Sequence, residues 1–209
     1  MNESNTGEAL SADYAALDPR ARDVLECWFG APGTAGFGVE RKSWFKRSDA
    51  FDTMLRQRFG TLIDEALQGA LDSWTRTPLG ALALVIVLDQ FSRNCHRGTA
   101  RAFSADAKAL LVAQQMVASG ADRQLPGAHH RAFAYLPFEH DETMESQRES
   151  MRLFEALEDE APGAGYAGFA MRHAKIIERF GRFPHRNALL GRPSTVEEIA
   201  FLREPGSSF

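Results

Sequence analysis

From Ser48 to Gly69 the apolar residues Phe51, Leu55, Phe59, Leu62, Ile63 and Ala66 return at spacings of three and four, the pattern of a helix with one buried face. Ser48 stands ahead of them as a cap. Asp18-Pro19 pairs a capping side chain with a first-turn proline and predicts a helix through "RARDVLECWF" to Gly30. Thr77-Pro78 repeats that start for an apolar helix ending near Asn94. Ser104 opens "ADAKALLVAQQMVASG", closed at Gly120, and a shorter helix runs through "AHHRAFAYL" and stops before Pro137. Asp141 or Thr143 begins a charge-rich helix to about Glu160, and "APGAG" breaks it. "YAGFAMRHAKIIERF" forms the next, ending at Gly181 with Pro184 beyond. Ser194 and Glu197 read as a capping box for "TVEEIAFLRE". No strand alternation interrupts the series.

The pattern therefore predicts an all-α protein of about eight helices, and short turns favour antiparallel pairs. A strict 34-residue repeat is not visible. The polar, small-residue start "MNESNTGEALSADYAAL" is expected to be a flexible arm over residues 1–17, ahead of a single all-helical domain over 18–209. That start has neither the basic end nor the apolar centre of a secretory signal. The longest apolar run, "LGALALVIVL", is about half the ~20 residues of a membrane span, so a buried helix is expected and no membrane partner. The loop "GAPGTAGFG" lacks the preceding strand and the spacing of a phosphate-binding loop, and reads as a flexible connection. Two cysteines, Cys27 and Cys95, have no C-x-x-C partner, which points to a reduced, cytoplasmic protein.

Charge changes the picture locally. The chain carries a net −4 with a pI near 5.9, which argues against a nucleic-acid binder. Yet Arg172 to Arg192 holds six Arg/Lys against one acid, and Glu139 to Glu160 holds nine acids against two arginines. Either the acidic helix neutralises the basic one beside it, or some arginines converge on an anion, since guanidinium pairs well with carboxylate and phosphate.

Three groups of polar residues need explaining. Asp89, Arg93 and Arg97 are four apart, one helical stripe at the end of a wholly apolar run. Arg93 is then an internal partner of Asp89 or a ligand-facing cation. Glu139 and His140 fall in the elbow expected after Pro137, where His140, oriented by Glu139 or Glu142, is the candidate for proton transfer. The alternatives for His140 are a hydrogen-bonding strut or a metal ligand. No metal is expected, because neither paired Glu-x-x-His motifs nor H-E-x-x-H occur. His173 shares the inward face of Phe169, Ile176, Ile177 and Phe180, while Arg172, Lys175, Arg179 and Arg182 mark the opposite stripe. Beyond it the Gly181–Pro184 corner is expected to project Arg182, His185, Arg186 and Asn187.

The stretches "VLECWFG", "LDQFSRNCHRGTARAF", "YLPFEHDE" and "RFGRFPHRNALLGRPSTVEE" resemble the bacterial domain-of-unknown-function family 924, from about Arg20 to Leu202. The resemblance implies an all-α, tetratricopeptide-like stack of helices and brings no activity, cofactor or partner. Its signature positions here are Asp89, Gln90, Arg93, Arg97, Glu139, His140, His173, Arg179, Arg182, His185, Arg186 and Asn187. The family usually has Ser after the motif histidine, where this chain has Asp141. Both residues can cap a helix, but a serine nucleophile at that place is excluded.

Two functions are carried forward, with the cofactor unknown. One is a small-molecule site, enzymatic or purely binding. There His140 and Glu142 are the catalytic candidates, and Asp89, Arg93, His173, Arg179, Arg182, His185 and Arg186 hold a small anionic molecule. The other is an interaction module gripping a peptide or protein partner on a concave helical face. A weaker third would have His140 and His173 serve a metal or haem.

Overall fold

The computed structural model describes residues 3–160 and 162–208. Residues 1–2 of the expected arm, Ala161 of the glycine-rich break and Phe209 at the end of the expected domain lie outside them. Helices make up 69% of the chain, about twice the share in an average domain, and among the described residues there is no strand. The segment read as an arm is helical over Glu3–Ala15 (α1), and Tyr14 and Leu17 at its end are buried in the core.

Capping chemistry sets most boundaries. The Asp18 carboxylate accepts the Arg20 backbone N–H at 2.8 Å and starts Pro19–Phe29 (α2). A short helix, Lys42–Phe45 (α3), inserts Trp44 beside Trp28. Ser48 caps Asp49–Leu67 (α4), and Thr77 caps Pro78–Val85 (α5). Helix α5 runs on through a π-helical turn, Ile86–Phe91, into Ser92–Cys95 (α6). Every residue from Leu79 to Ser92 is buried, so this rod is the axis on which the other helices pack. Asp106–Ser119 (α7), Ala128–His140 (α8), Met144–Glu158 (α9) and Tyr166–Phe180 (α10) follow, with Val196–Phe201 (α11) near the end. Among the described residues no helix is long and apolar enough to cross a membrane. Both cysteines are free thiols.

Three boundaries differ from the sequence reading. Helix α8 does not stop before Pro137 but carries it inside and ends at His140. Phe133, Leu136, Pro137, Phe138 and Glu139 are all buried, and packing of that last turn outweighs the ~3 kcal/mol that an interior proline costs. His140 is thus the last residue of a helix rather than part of an open elbow. Helix α7 begins two residues after Ser104, whose hydroxyl instead donates to the Arg101 carbonyl in a tight 3₁₀ turn. The capping box is made one residue later than expected, by Thr195 and Glu198, while Ser194 accepts from the Asn187 side-chain amide.

A second, smaller apolar cluster fixes the corner after α10. Ile176, Ile177 and Phe183 pack with Met144, Phe180 and Phe201. Gly181 takes the left-handed conformation there (φ 67°), which only glycine adopts without strain.

Candidate functional site

The site is assembled around a carboxylate that the fold buries completely. Asp89 sits in the π turn of the central rod, an irregularity that is rare in helices and frequent at functional positions. Its side chain is 0% exposed; it accepts from His140 Nδ1 at 2.7 Å and Gln90 Nε2 at 2.7 Å and forms an ion pair with Arg93 Nη1 at 2.9 Å. Burial works to raise the Asp89 carboxyl, but Arg93, His140 and Gln90 outweigh it and hold the group well below the usual carboxylate range.

Both Nη groups of Arg93 are engaged. It forks onto Asp106 (Nη1–Oδ1 2.9 Å, Nη2–Oδ2 3.0 Å) and also donates to the Asp89 carbonyl at 3.0 Å. Asp106, in the first turn of α7, accepts in addition from Arg186 Nη1 at 3.3 Å. The Arg186 guanidinium is held between the Phe103 ring (4.8 Å) and the Phe183 ring (4.6 Å). Its Nε is buried without a partner, and among the described residues Nη2 has none either. Burial, and then the neighbouring Arg93, push Arg186 down to about 10.

His140 differs from its carboxylate partner in one respect that matters: its side chain is 16% exposed. An ionised carboxylate can only accept, so Nδ1 carries the proton and Nε2 presents a lone pair. Among the described residues Nε2 has no hydrogen-bond partner. Burial and Arg93 lower the imidazole, which keeps it neutral at pH 7.

Behind His140 lies a second polar layer. His173 Nδ1 donates to the Phe169 carbonyl at 3.0 Å and lies 3.3 Å from Glu139 Oε1. Burial, with nearby Asp89, pushes Glu139 up to about 8, and burial pushes His173 down to about 3. The two therefore form a neutral pair. The His140 and His173 rings are 6.4 Å apart, and Phe183 packs edge-on against His173 and beside His185. His185 is lowered to about 4 by burial and then Arg186. Phe169, expected on the inward face, is half exposed and stacks under Arg172 instead.

The structure thus brings Asp89, Arg93, His140, His173, His185 and Arg186 together. It does not bring Arg179, Arg182 or Glu142 into that group as ligand or catalytic residues. Arg182 donates to Glu198 (2.7 and 2.9 Å) and to the Pro193 carbonyl (2.8 Å), and Arg179 pairs with Glu197 at 2.9 Å. Both tie α10 and its corner to α11. Glu142 is clamped by Arg192 (2.6 and 2.9 Å) and accepts the Phe183 N–H at 2.7 Å, so it braces the corner and leaves the orientation of His140 to Asp89. Arg97 turns away to Asp52. The acidic segment Glu139–Glu160 neutralises the basic one only at its start, where Glu142 pairs with Arg192; Glu149 pairs with Arg152 on its own helix, and Glu160 with Arg131 of α8. The balancing acids come from α11, Asp106 and Glu142. Asp106 and Phe103 were not singled out from sequence. Phe103 closes the motif stretch "LDQFSRNCHRGTARAF" and Asp106 follows three residues later, which is their only signal.

Over residues 24–206 the sequence matches the family described as "Bacterial protein of unknown function (DUF924)". The chain belongs to the DUF924 family. A solved structure, titled "Structure of Protein of Unknown Function ATU0120 from Agrobacterium tumefaciens", is similar to it at 36% identity and a TM-score of 0.77. The superposition covers 88% of this chain and 96% of that one. No curated protein matches. The whole cluster from Asp89 to Arg186 lies within the DUF924 segment. Among its described residues no three His, Cys, Asp or Glu are grouped to hold a metal ion.

Proposed function

We propose that this DUF924 chain binds a small anionic molecule beside His140 and acts on it by proton transfer. One observation carries the reading: a buried, ionised Asp89 holds His140 Nδ1–H at 2.7 Å while the neutral ring's Nε2 lone pair has no partner among the described residues. A carboxylate behind an imidazole fixes its tautomer and stabilises the imidazolium formed when Nε2 takes a proton. Arg186 supplies the second element. Its Nε–Nη2 edge, held flat between two rings, matches the two oxygens of a carboxylate or phosphate. Asp89 takes the orienting role first given to Glu139 or Glu142. Arg93 is a buried counter-charge that keeps His140 neutral.

Nuclear magnetic resonance of the His140 ring tests this directly. At pH 7 Nε2 is expected to show the shift of an unprotonated nitrogen. Titration with inorganic phosphate or acetate should move that resonance saturably, and Arg186→Gln should weaken the response by roughly 10- to 150-fold, the ~1.5–3 kcal/mol of a charged hydrogen bond. An imidazolium at pH 7, or a His140 ring indifferent to both anions, would overturn the proposal.

A second reading, a tetratricopeptide-like interaction module for a peptide or protein, draws on one feature. Leu189, Leu190, Val196, Ile199 and Leu202 are exposed between the corner and α11, Val196 to 87%. A partner seated there would shift resonances of α11 and leave the His140 ring unmoved.

A further inference from the structure

Arg97 belongs to the motif stretch after the central rod, yet it takes no part in the His140 cluster. It faces a cavity of about 340 Å³ that the proposed function does not use. Arg47, Asp49, Asp52, Thr53, Arg56 and Arg97 line this space at the start of α4. Its size falls within the ~300–1,000 Å³ of small-molecule sites.

The charges there are arranged unequally. Asp52 is buried and satisfied: Asn94 Nδ2 donates at 2.7 Å, Arg97 Nε at 2.7 Å and Arg97 Nη2 at 3.2 Å. Burial acts to raise its carboxyl, but Arg97 and Asn94 outweigh this and keep it ionised. Arg56 makes a single bond, Nε to the Cys95 carbonyl at 3.0 Å, and Arg47 one from Nε to Asp49 at 3.0 Å. The carbonyl bond holds the Arg56 stem, whereas the Arg47–Asp49 pair is exposed on both sides and restrains Arg47 little. Among the described residues the Nη groups of Arg47 and Arg56 and Nη1 of Arg97 have no partner, nor does the Thr53 hydroxyl. Three guanidinium groups face two carboxylates, so the wall carries one unbalanced positive charge. Its free donors are open to solvent, since every residue of the wall except Asp52 is exposed, so an anion there would replace water rather than fill an unmet bond.

We infer that this cavity is a second ligand site, for a small molecule bearing a singly charged oxyanion such as a carboxylate. One carboxylate brings the wall to neutrality and offers two oxygens to planar donors that match them. A dianionic phosphate would leave the cavity negative, against Asp49 and Asp52. The site is separate from the His140 cluster. Arg93 turns to Asp106 on α7, while Arg97, one turn on, turns to Asp52 on α4. The two arginines of one stripe serve opposite sides of the rod.

The test uses the full chain carrying Arg186→Gln, so that the corner does not contribute, with acetate as the probe and chloride at equal ionic strength as its control. Backbone resonances of Thr53 and of Gly98, which also lines the cavity, should shift saturably with acetate and not with chloride, and more weakly with inorganic phosphate at pH 8. Arg56→Gln should weaken the acetate response at least tenfold. Arg56 gives up one carbonyl bond and no buried charge, so the variant should fold. Arg47→Gln, at a largely exposed side chain, is a second fold-neutral variant and should weaken it less. Equal shifts with chloride, tighter binding of phosphate than of acetate, or an Arg56→Gln protein with unchanged affinity would each overturn the inference.

Discussion

Asp89 answers to three partners at once, two hydrogen-bond donors and one ion-pair cation, and each removal has a different consequence. Asp89→Asn takes the charge from behind His140 and Arg93 together. Breaking a buried ion pair costs roughly 3–5 kcal/mol, and the lower end is expected here because Arg93 keeps Asp106. Urea denaturation reads that loss. The same variant frees Nδ1 from a carboxylate acceptor, so the His140 ring should lose its fixed tautomer even in the folded fraction. Arg182→Ala is the control. It strips Glu198 of its guanidinium partner and should lower the urea midpoint, while the His140 resonance stays in place. The sequence made the Asp89–Arg93 contact legible because it lies within one helix at a spacing of four. It could not supply His140's partner, 51 residues away in the chain. It also misplaced Arg179 and Arg182, because their acids sit in "TVEE", where Glu197 read only as a capping residue and Glu198 had no reading of its own. A run of arginines states that acids or anions must be near. It does not say which.

At the scale of elements, intrinsic preference and packing can be set against each other at two glycines. Gly80 lies inside α5 and Gly168 inside α10, and in an unpacked helix alanine would be better at both by about 0.5–1 kcal/mol. A Cβ at Gly80 would overlap the Trp74 carbonyl oxygen and lie 2.9 Å from Thr77 Oγ1, whereas one at Gly168 meets nothing within 4 Å. Gly168→Ala should therefore raise the thermal midpoint. Gly80→Ala should lower stability by roughly 1–3 kcal/mol, the cost of overpacking against backbone that cannot yield. Midpoints moving together would show that propensity, not fit, decides at these sites. The same competition explains which boundaries were legible. Asp18, Ser48, Thr77, Gly120 and Gly181 act through local hydrogen bonds or a local φ, so sequence is enough. Pro137 acts against its surroundings, and the burial of Phe133, Leu136 and Phe138 wins. That one turn matters for the site, since it makes His140 the rigid end of a helix.

Over the whole molecule the histidines and one glutamate set an opposed pair of pH responses. All six histidines are lowered from the ordinary imidazole value of 6.5, with His130 and His185 at about 4 and His173 at about 3, chiefly by burial. An unfolded chain takes up these protons below 6.5 and the folded one does not, so stability is present above 6.5 and lost as pH falls toward the folded values. Each such group adds about 1.4 kcal/mol per pH unit to the slope. Glu139 has the reverse sign. It is raised from 4.5 to about 8, so it stays protonated in the fold while the unfolded carboxyl ionises, and its contribution fades as pH rises from 4.5 to 8. Between 4.5 and 6.5 the three most perturbed histidines outweigh it; between 6.5 and 8 it acts alone among these groups. The urea midpoint should therefore peak near neutral pH, fall steeply on the acid side and decline gently on the alkaline side. Glu139→Gln separates the two limbs, because an amide replaces a carboxyl that is already neutral in the fold. It should abolish the alkaline decline and steepen the acid limb by one proton. An alkaline limb that survives this variant would mean that Glu139 is ionised beside His173, and the neutral pair behind His140 would have to be redrawn as an ion pair.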